Sequence, residues 1–83
     1  LMQKIITLSV LLKDEPGVLS SVLVSLHSLH ANILTVNQSI PVDGVATVTI
    51  SLRLNNGFEE AQEMKSIISE LKGVVEIQLL SGE

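Results

Sequence analysis

The stretch Ile5-Ile6-Thr7-Leu8-Ser9-Val10-Leu11-Leu12-Lys13-Asp14-Glu15-Pro16-Gly17-Val18-Leu19 changes its hydrophobic period partway along. From Ile5 to Leu12 apolar and small polar residues largely alternate, which marks a strand with Ile6, Leu8, Val10 and Leu12 on one face. Thr7, Ser9 and Leu11 take the other face. Lys13 to Gly17 then read as a turn, in which Asp14 is the expected helix N-cap and Pro16 suits the first helical turn. Beyond it Leu19, Val22, Leu23, Leu26 and Leu29 recur at helical spacing, with Ser20, Ser21, Ser25 and Ser28 opposite. This helix is expected to stop near His30-Ala31-Asn32.

Residues 33–40 read as a second strand, with Leu34, Val36 and Ile40 on one face and Thr35, Asn37 and Ser39 on the other. Pro41-Val42-Asp43-Gly44 is a reverse turn, and Asp-Gly is its hairpin signal. Residues 45–54 alternate strongly and should pair antiparallel with the second strand. Asn55-Asn56-Gly57 breaks the pattern. A second helix follows from about Phe58, with Glu59 and Glu60 at the positive end of its dipole. Ala61, Met64, Ile67, Ile68 and Leu71 form its apolar stripe, and Lys72-Gly73 ends it. Residues 74–80 form the last strand, with Val75, Ile77 and Leu79 inward. The order βαββαβ predicts an α+β ferredoxin-like sandwich: a four-stranded antiparallel sheet with both helices on one face. Strands one and three should be central.

The 83 residues allow a single domain, spanning 1–83. Hydrophobic residues make up 46% of the chain and Phe58 is its one aromatic residue, so the core must be aliphatic. A mean hydropathy of +0.50 excludes disorder. Without cysteine there are no disulfides and no thiolate metal sites. Five basic against nine acidic residues give a net charge of −4, and Lys4, Lys13, Arg53, Lys65 and Lys72 are scattered, which argues against nucleic acid and against an anionic membrane surface. No apolar run approaches the ~20 residues needed to span a bilayer. The expectation is a cytoplasmic protein. Leu1-Met2 is compatible with a start at Met2 or with a domain cut from a longer protein.

One sheet face is left uncovered by this order. Its residues, Thr7, Ser9, Thr35, Asn37, Ser39, Thr47, Thr49, Ser51 and Gln78, are small and neutral. It reads either as a solvated face or as a packing face. The second strand carries no Lys and no internal Pro, and Val24 lies off the buried stripe of the first helix. A two-fold pairing of this helix and strand with a second copy covers both, so a homodimer or higher homo-oligomer through helix one and strand two is expected.

Catalytic and metal chemistry find little footing. His27 and His30 share a helix face, but a zinc site wants three or four ligands and neither another His nor a Cys exists. Ser20 and Ser21 have no histidine at a motif spacing, and Gly17 alone spells no phosphate loop. No cofactor is expected. What remains is the Lys13–Gly17 turn, where exposed backbone N–H groups at a helix N-terminus can receive a carboxylate and Gly17 permits close approach. Asn32 offers both a donor and an acceptor at the entry to the second strand. In the two-fold pairing, Asn32 of one copy approaches the Asp14 turn of the other. The alternative is that Asp14 is only a cap and Asn32 only a turn residue.

Asp14-Glu15-Pro16-Gly17-Val18-Leu19 between a strand and a helix, followed by Ala31-Asn32-Ile33, resembles the ACT domain. The likeness runs from Ile5 to Leu80. It implies a regulatory module that binds amino acids, with the same βαββαβ fold. Ala31 to Pro41, followed by Gly44 and Val48-Thr49-Ile50-Ser51, looks most like the PheB-type ACT-domain proteins, some of which carry a chorismate mutase label and lie near aromatic amino-acid genes. That likeness makes this chain the C-terminal part of a longer protein. By analogy the ligand lies between two domains, with Leu12, Asp14, Gly17 and Val18 on one side and Asn32 and Ile33 on the other. Leu12 stands where serine-binding members have a histidine, which puts serine in doubt and favours a hydrophobic or aromatic amino acid. Some members bind nothing and serve only for assembly. Chorismate mutase activity is not expected, because a doubly anionic substrate needs several converging cations.

Overall fold

The computed structural model describes residues 4–55 and 57–82, with Ser81 and Gly82 described by backbone alone. Leu1, Met2 and Asn56, read above as a boundary, a candidate start and part of a chain break, lie outside the described residues. The elements are β1 (Lys4–Lys13), α1 (Val18–Ser28), β2 (Asn32–Gln38), β3 (Val45–Leu54), α2 (Phe58–Ser69) and β4 (Val74–Gly82). They build the expected ferredoxin-like sandwich, with sheet order β2-β3-β1-β4 and every pairing antiparallel.

β1 and β3 pair without a break from Lys4 opposite Leu54 to Lys13 opposite Val45. Their alternation therefore sends Ile6, Leu8, Val10 and Leu12, with Ala46, Val48, Ile50, Leu52 and Leu54, under the helices, each at most 2% exposed. Val22 and Leu26 of α1, and Ala61, Met64 and Ile68 of α2, close the core from above. The core is wholly aliphatic apart from Met64, and no polar side chain is buried among the described residues. Across the open face Thr7 and Ser51 share a hydrogen bond between their hydroxyls at 3.3 Å. The β2–β3 hairpin closes on Asp43 and Gly44, both at positive φ, with Val42 and Val45 exchanging backbone bonds of 2.9 and 3.1 Å. That is the two-residue turn that Asp-Gly encodes.

Four local expectations need correction. The N-cap of α1 is Gly17, at φ 89°, and no side chain caps the helix. Asp14 lies upstream in the turn and Pro16 precedes the helix, because the chain turns a full left-handed residue at Gly17 before the helix begins. In β2 the register shifts between Ile33 and Thr35, so Ile33 stands opposite core residue Leu52 while Leu34 becomes an exposed bulge residue. Ile40 lies past the strand end and is 86% exposed. In β4 a shift next to Leu12 puts Val74 opposite that core residue and leaves Val75 exposed. Ile67 sits at the margin of the α2 stripe and is also exposed.

Candidate functional site

α1 follows β1 and runs back over the sheet, whereas α2 follows β3, which is antiparallel to β1. The start of α1 and the end of α2 therefore meet at the Lys13 end of the sheet. The hairpin tip arrives there as well. The Asp14 N–H donates to the Gly44 carbonyl at 2.8 Å, and the Lys13 N–H donates to the Gly73 carbonyl at 2.8 Å. The Lys13–Gly17 turn is thus tied by its backbone to the β2–β3 tip on one side and to the α2–β4 turn on the other. Gly73, at φ +91°, is packed so closely on Val18 that an added Cβ would lie 2.6 Å from a Val18 methyl.

Between these turns lies an open groove of about 450 Å³, lined by Glu15, Pro16, Gly17, Val18 and Ser21 of the α1 side and by Leu71 and Lys72 of the α2 side. Gly17 opens onto it with nothing within 4 Å of where its Cβ would be. No side chain caps α1: the Val18 N–H turns back to the Glu15 carbonyl at 3.3 Å, and the N–H groups that follow in the first turn, which lack an intrahelical acceptor, can receive a polar group. Glu15 and Lys72 bring opposite charges to the two walls, and Val18 and Leu71 give an apolar lining. The groove suits a small molecule with a charged head and an apolar body.

The structure brings Gly17 and Val18 into this groove, while Asp14 is exposed in the same turn and is not part of the lining. Val18 is largely buried, at 6% exposed. Leu12 is 2% exposed and points into the core beneath the turn. Asn32 and Ile33 are elsewhere. Asn32 stands opposite Arg53, which itself stands opposite Ile5, so both lie at the Lys4 end of the sheet, nearly a strand length away. Within one chain the two halves of the expected site are not joined. Leu71, expected in the apolar stripe of α2, and Lys72, expected at its end, are wall residues of the α2–β4 turn, because α2 stops at Ser69. The signal was present in the element order, since βαββαβ puts the two helix ends together. His27 and His30 are exposed, and among the described residues no three metal-ligating side chains cluster. His30 at φ 63° closes α1, with the Ala31 N–H reaching back to the Leu26 carbonyl at 3.1 Å.

No protein-family model matches the chain. It is 45% identical over 80 residues to a UPF0735 ACT domain-containing protein of Caldicellulosiruptor saccharolyticus, covering 96% of this chain and 53% of that protein. It is 39% identical over 77 residues to one of Desulforamulus reducens, covering 93% and 52%. The chain thus spans about half the length of the curated relatives it matches. Among solved structures, the ACT domain of a GTP pyrophosphokinase from Chlorobium tepidum matches with a TM-score of 0.82 at 15% identity, over 95% of this chain and all of that one. A homoserine dehydrogenase from Thiobacillus denitrificans matches with a TM-score of 0.77 at 14% identity, over 95% of this chain and 17% of that one. The fold is that of an ACT domain.

Proposed function

We propose that this ACT-fold chain is a regulatory module that binds an amino acid at the β1–α1 turn and works through self-association, with a part in amino-acid metabolism. The observation that carries the reading is the groove at the uncapped start of α1, built on the residues through which the chain resembles the ACT domain. In the dehydrogenase neighbour the same fold makes up a small share of a much longer chain, which suits a module serving a larger protein.

Self-association resolves the separation of Asn32 from the turn. β2 is parallel to β1, so its Asn32 end lies far from the Lys13 end of its own chain. An antiparallel two-fold pairing of β2 with its copy reverses the second chain, and its Asn32 and Ile33 then lie toward the first chain's turn. Asp14, Gly17 and Val18 serve from one protomer and Asn32 and Ile33 from the other, with Leu12 as apolar support beneath. The apolar lining given by Val18 and Leu71 favours a hydrophobic or aromatic side chain on the ligand, in keeping with the PheB-type likeness. Catalysis forms no part of the reading. Of the residues lining the groove only Lys72 is cationic, whereas a doubly anionic substrate needs several converging cations. No helix among the described residues is long and apolar enough to cross a membrane, and a cytoplasmic setting is proposed.

A thermal-shift screen of the twenty amino acids tests the ligand. One of them should raise the melting temperature saturably, by about 2.7 kcal/mol of added stability at a hundredfold excess over its Kd. No shift with any of them overturns the ligand reading. A second reading, a structural dimerisation module, is favoured by the exposed side chains of Val24, Leu34, Val36, Ile40 and Val42 on α1, β2 and the hairpin arm. It expects a dimer indifferent to amino acids, and a monomer at micromolar concentration in sedimentation overturns both readings.

A further inference from the structure

Among the described residues that line the groove at the start of α1, two are charged: Glu15 on one wall and Lys72 on the other. Both side chains are exposed, and among the described residues neither is joined to another side chain by an ion pair. Opposite charges that share a groove without neutralising each other are each left free for a ligand group. The backbones that carry them are braced on a single residue. The Lys13 N–H donates to the carbonyl of Gly73, the neighbour of Lys72, at 2.8 Å. The Glu15 N–H donates to the Lys13 carbonyl at 2.9 Å. The fold therefore sets the spacing of the two walls, and only the two side chains remain to be ordered when a ligand binds.

One anion and one cation sum to zero, so the groove discriminates by the pattern of charge on a ligand. A zwitterion offers a carboxylate to Lys72 and an ammonium to Glu15. The 2-oxo acid with the same side chain keeps the carboxylate but turns a carbonyl oxygen toward Glu15, acceptor against acceptor. The matching amine keeps the ammonium and leaves Lys72 without a partner. The volume of about 450 Å³ lies within the ~300–1,000 Å³ of small-molecule sites, with Val18 and Leu71 left for an apolar side chain.

We infer that Lys72, from the α2–β4 turn, binds the α-carboxylate of the ligand and that Glu15 binds its α-ammonium, so the groove accepts an amino acid and rejects the matching 2-oxo acid and amine. This rests on the amino-acid reading of the groove and adds which side chains read the two charges. The domain then reports the aminated member of an amino-acid and 2-oxo-acid pair, the two species that transamination interconverts.

Calorimetric titration of the full-length protein tests the assignment, with L-phenylalanine, L-leucine, their 2-oxo acids and their amines as probes. The amino acids should bind the wild-type protein at least about tenfold more tightly than either counterpart, the size of one charge-assisted hydrogen bond. Lys72→Gln should weaken the amino acids about tenfold and leave the amines unchanged. Glu15→Gln should weaken the amino acids by a similar factor and strengthen the 2-oxo acids, because it removes the repelling carboxylate. Circular dichroism melts without ligand should match the wild type for both variants, since both positions are exposed. Amino acids that bind the wild type with affinities untouched in both variants overturn the charge assignment and leave the ligand reading standing. A 2-oxo acid bound as tightly as its amino acid does the same. Wild-type protein that binds neither amino acid overturns the assignment together with the apolar-ligand reading behind it.

Discussion

Gly73→Ala isolates the contact between the two turns that frame the proposed ligand groove. Gly17, Gly44 and Gly73 have φ of +89°, +79° and +91°, so an alanine at any of them bears a similar backbone penalty of about 1–2 kcal/mol. Gly17 and Gly44 have nothing within 4 Å of the added Cβ. At Gly73 the Cβ would lie 2.6 and 3.0 Å from the two methyls of Val18. Val18 is a β-branched residue in the first turn of α1 and is buried, so it cannot swing aside. Overpacking of this kind adds about 1–3 kcal/mol. Gly73→Ala should therefore cost about 2–5 kcal/mol, against about 1–2 for Gly44→Ala. In a domain of this size each kcal/mol moves the melting temperature by about 4–8 °C, so the two variants should differ by at least about 4 °C by circular dichroism. Adding Val18→Ala to Gly73→Ala removes both methyls and should return about 1–3 kcal/mol as coupling between the sites. Equal melting temperatures for Gly73→Ala and Gly44→Ala, or no coupling to Val18, would refute the reasoning.

Asp14→Ala should change stability by less than about 0.5 kcal/mol, since Asp14 does not cap α1, yet it should abolish any amino-acid-induced thermal shift. Val36→Lys places a charge on the helix-side margin of β2, where Val36 is 38% exposed, and should turn a dimer into a monomer in sedimentation while leaving the circular dichroism spectrum unchanged. Met64→Ala, at a position 2% exposed beneath α2, should cost about 2–5 kcal/mol by denaturant titration, much of the stability of so small a domain.

The architecture was legible because each element follows a single clear period. β3 begins and ends where its alternation does, and Asp43-Gly44 names its own turn type. The departures lie at the edge strands. Both β2 and β4 carry bulges, and a bulge inverts the alternation from which faces are read. Val74 and Val75 are chemically identical, so the pattern gives no hint which of them turns inward. The cap of α1 was misassigned because Asp14 is a good capping residue by type, whereas the left-handed Gly17 ends the turn three residues later. Of the candidate site, the turn was visible in the sequence. The wall with Lys72, in the turn between α2 and β4, followed from topology and not from any motif. The distance from Asn32 to that turn depends on strand direction, which no local pattern carries.

The placement of the two ends of the fold has a mechanical consequence. β1 and β4 are antiparallel neighbours, and the start of β1 and the finish of β4 lie at the same end of the sheet, where Ile6 faces Gly82. Tension drawn through the two ends loads that rung first, and the ladder parts one bond at a time, as a zipper does. A terminal pair pulled in shear would share the load among all its rungs. The fold is thus soft to a pull across its ends, with β4 peeling away while β3 still holds β1 along its full length.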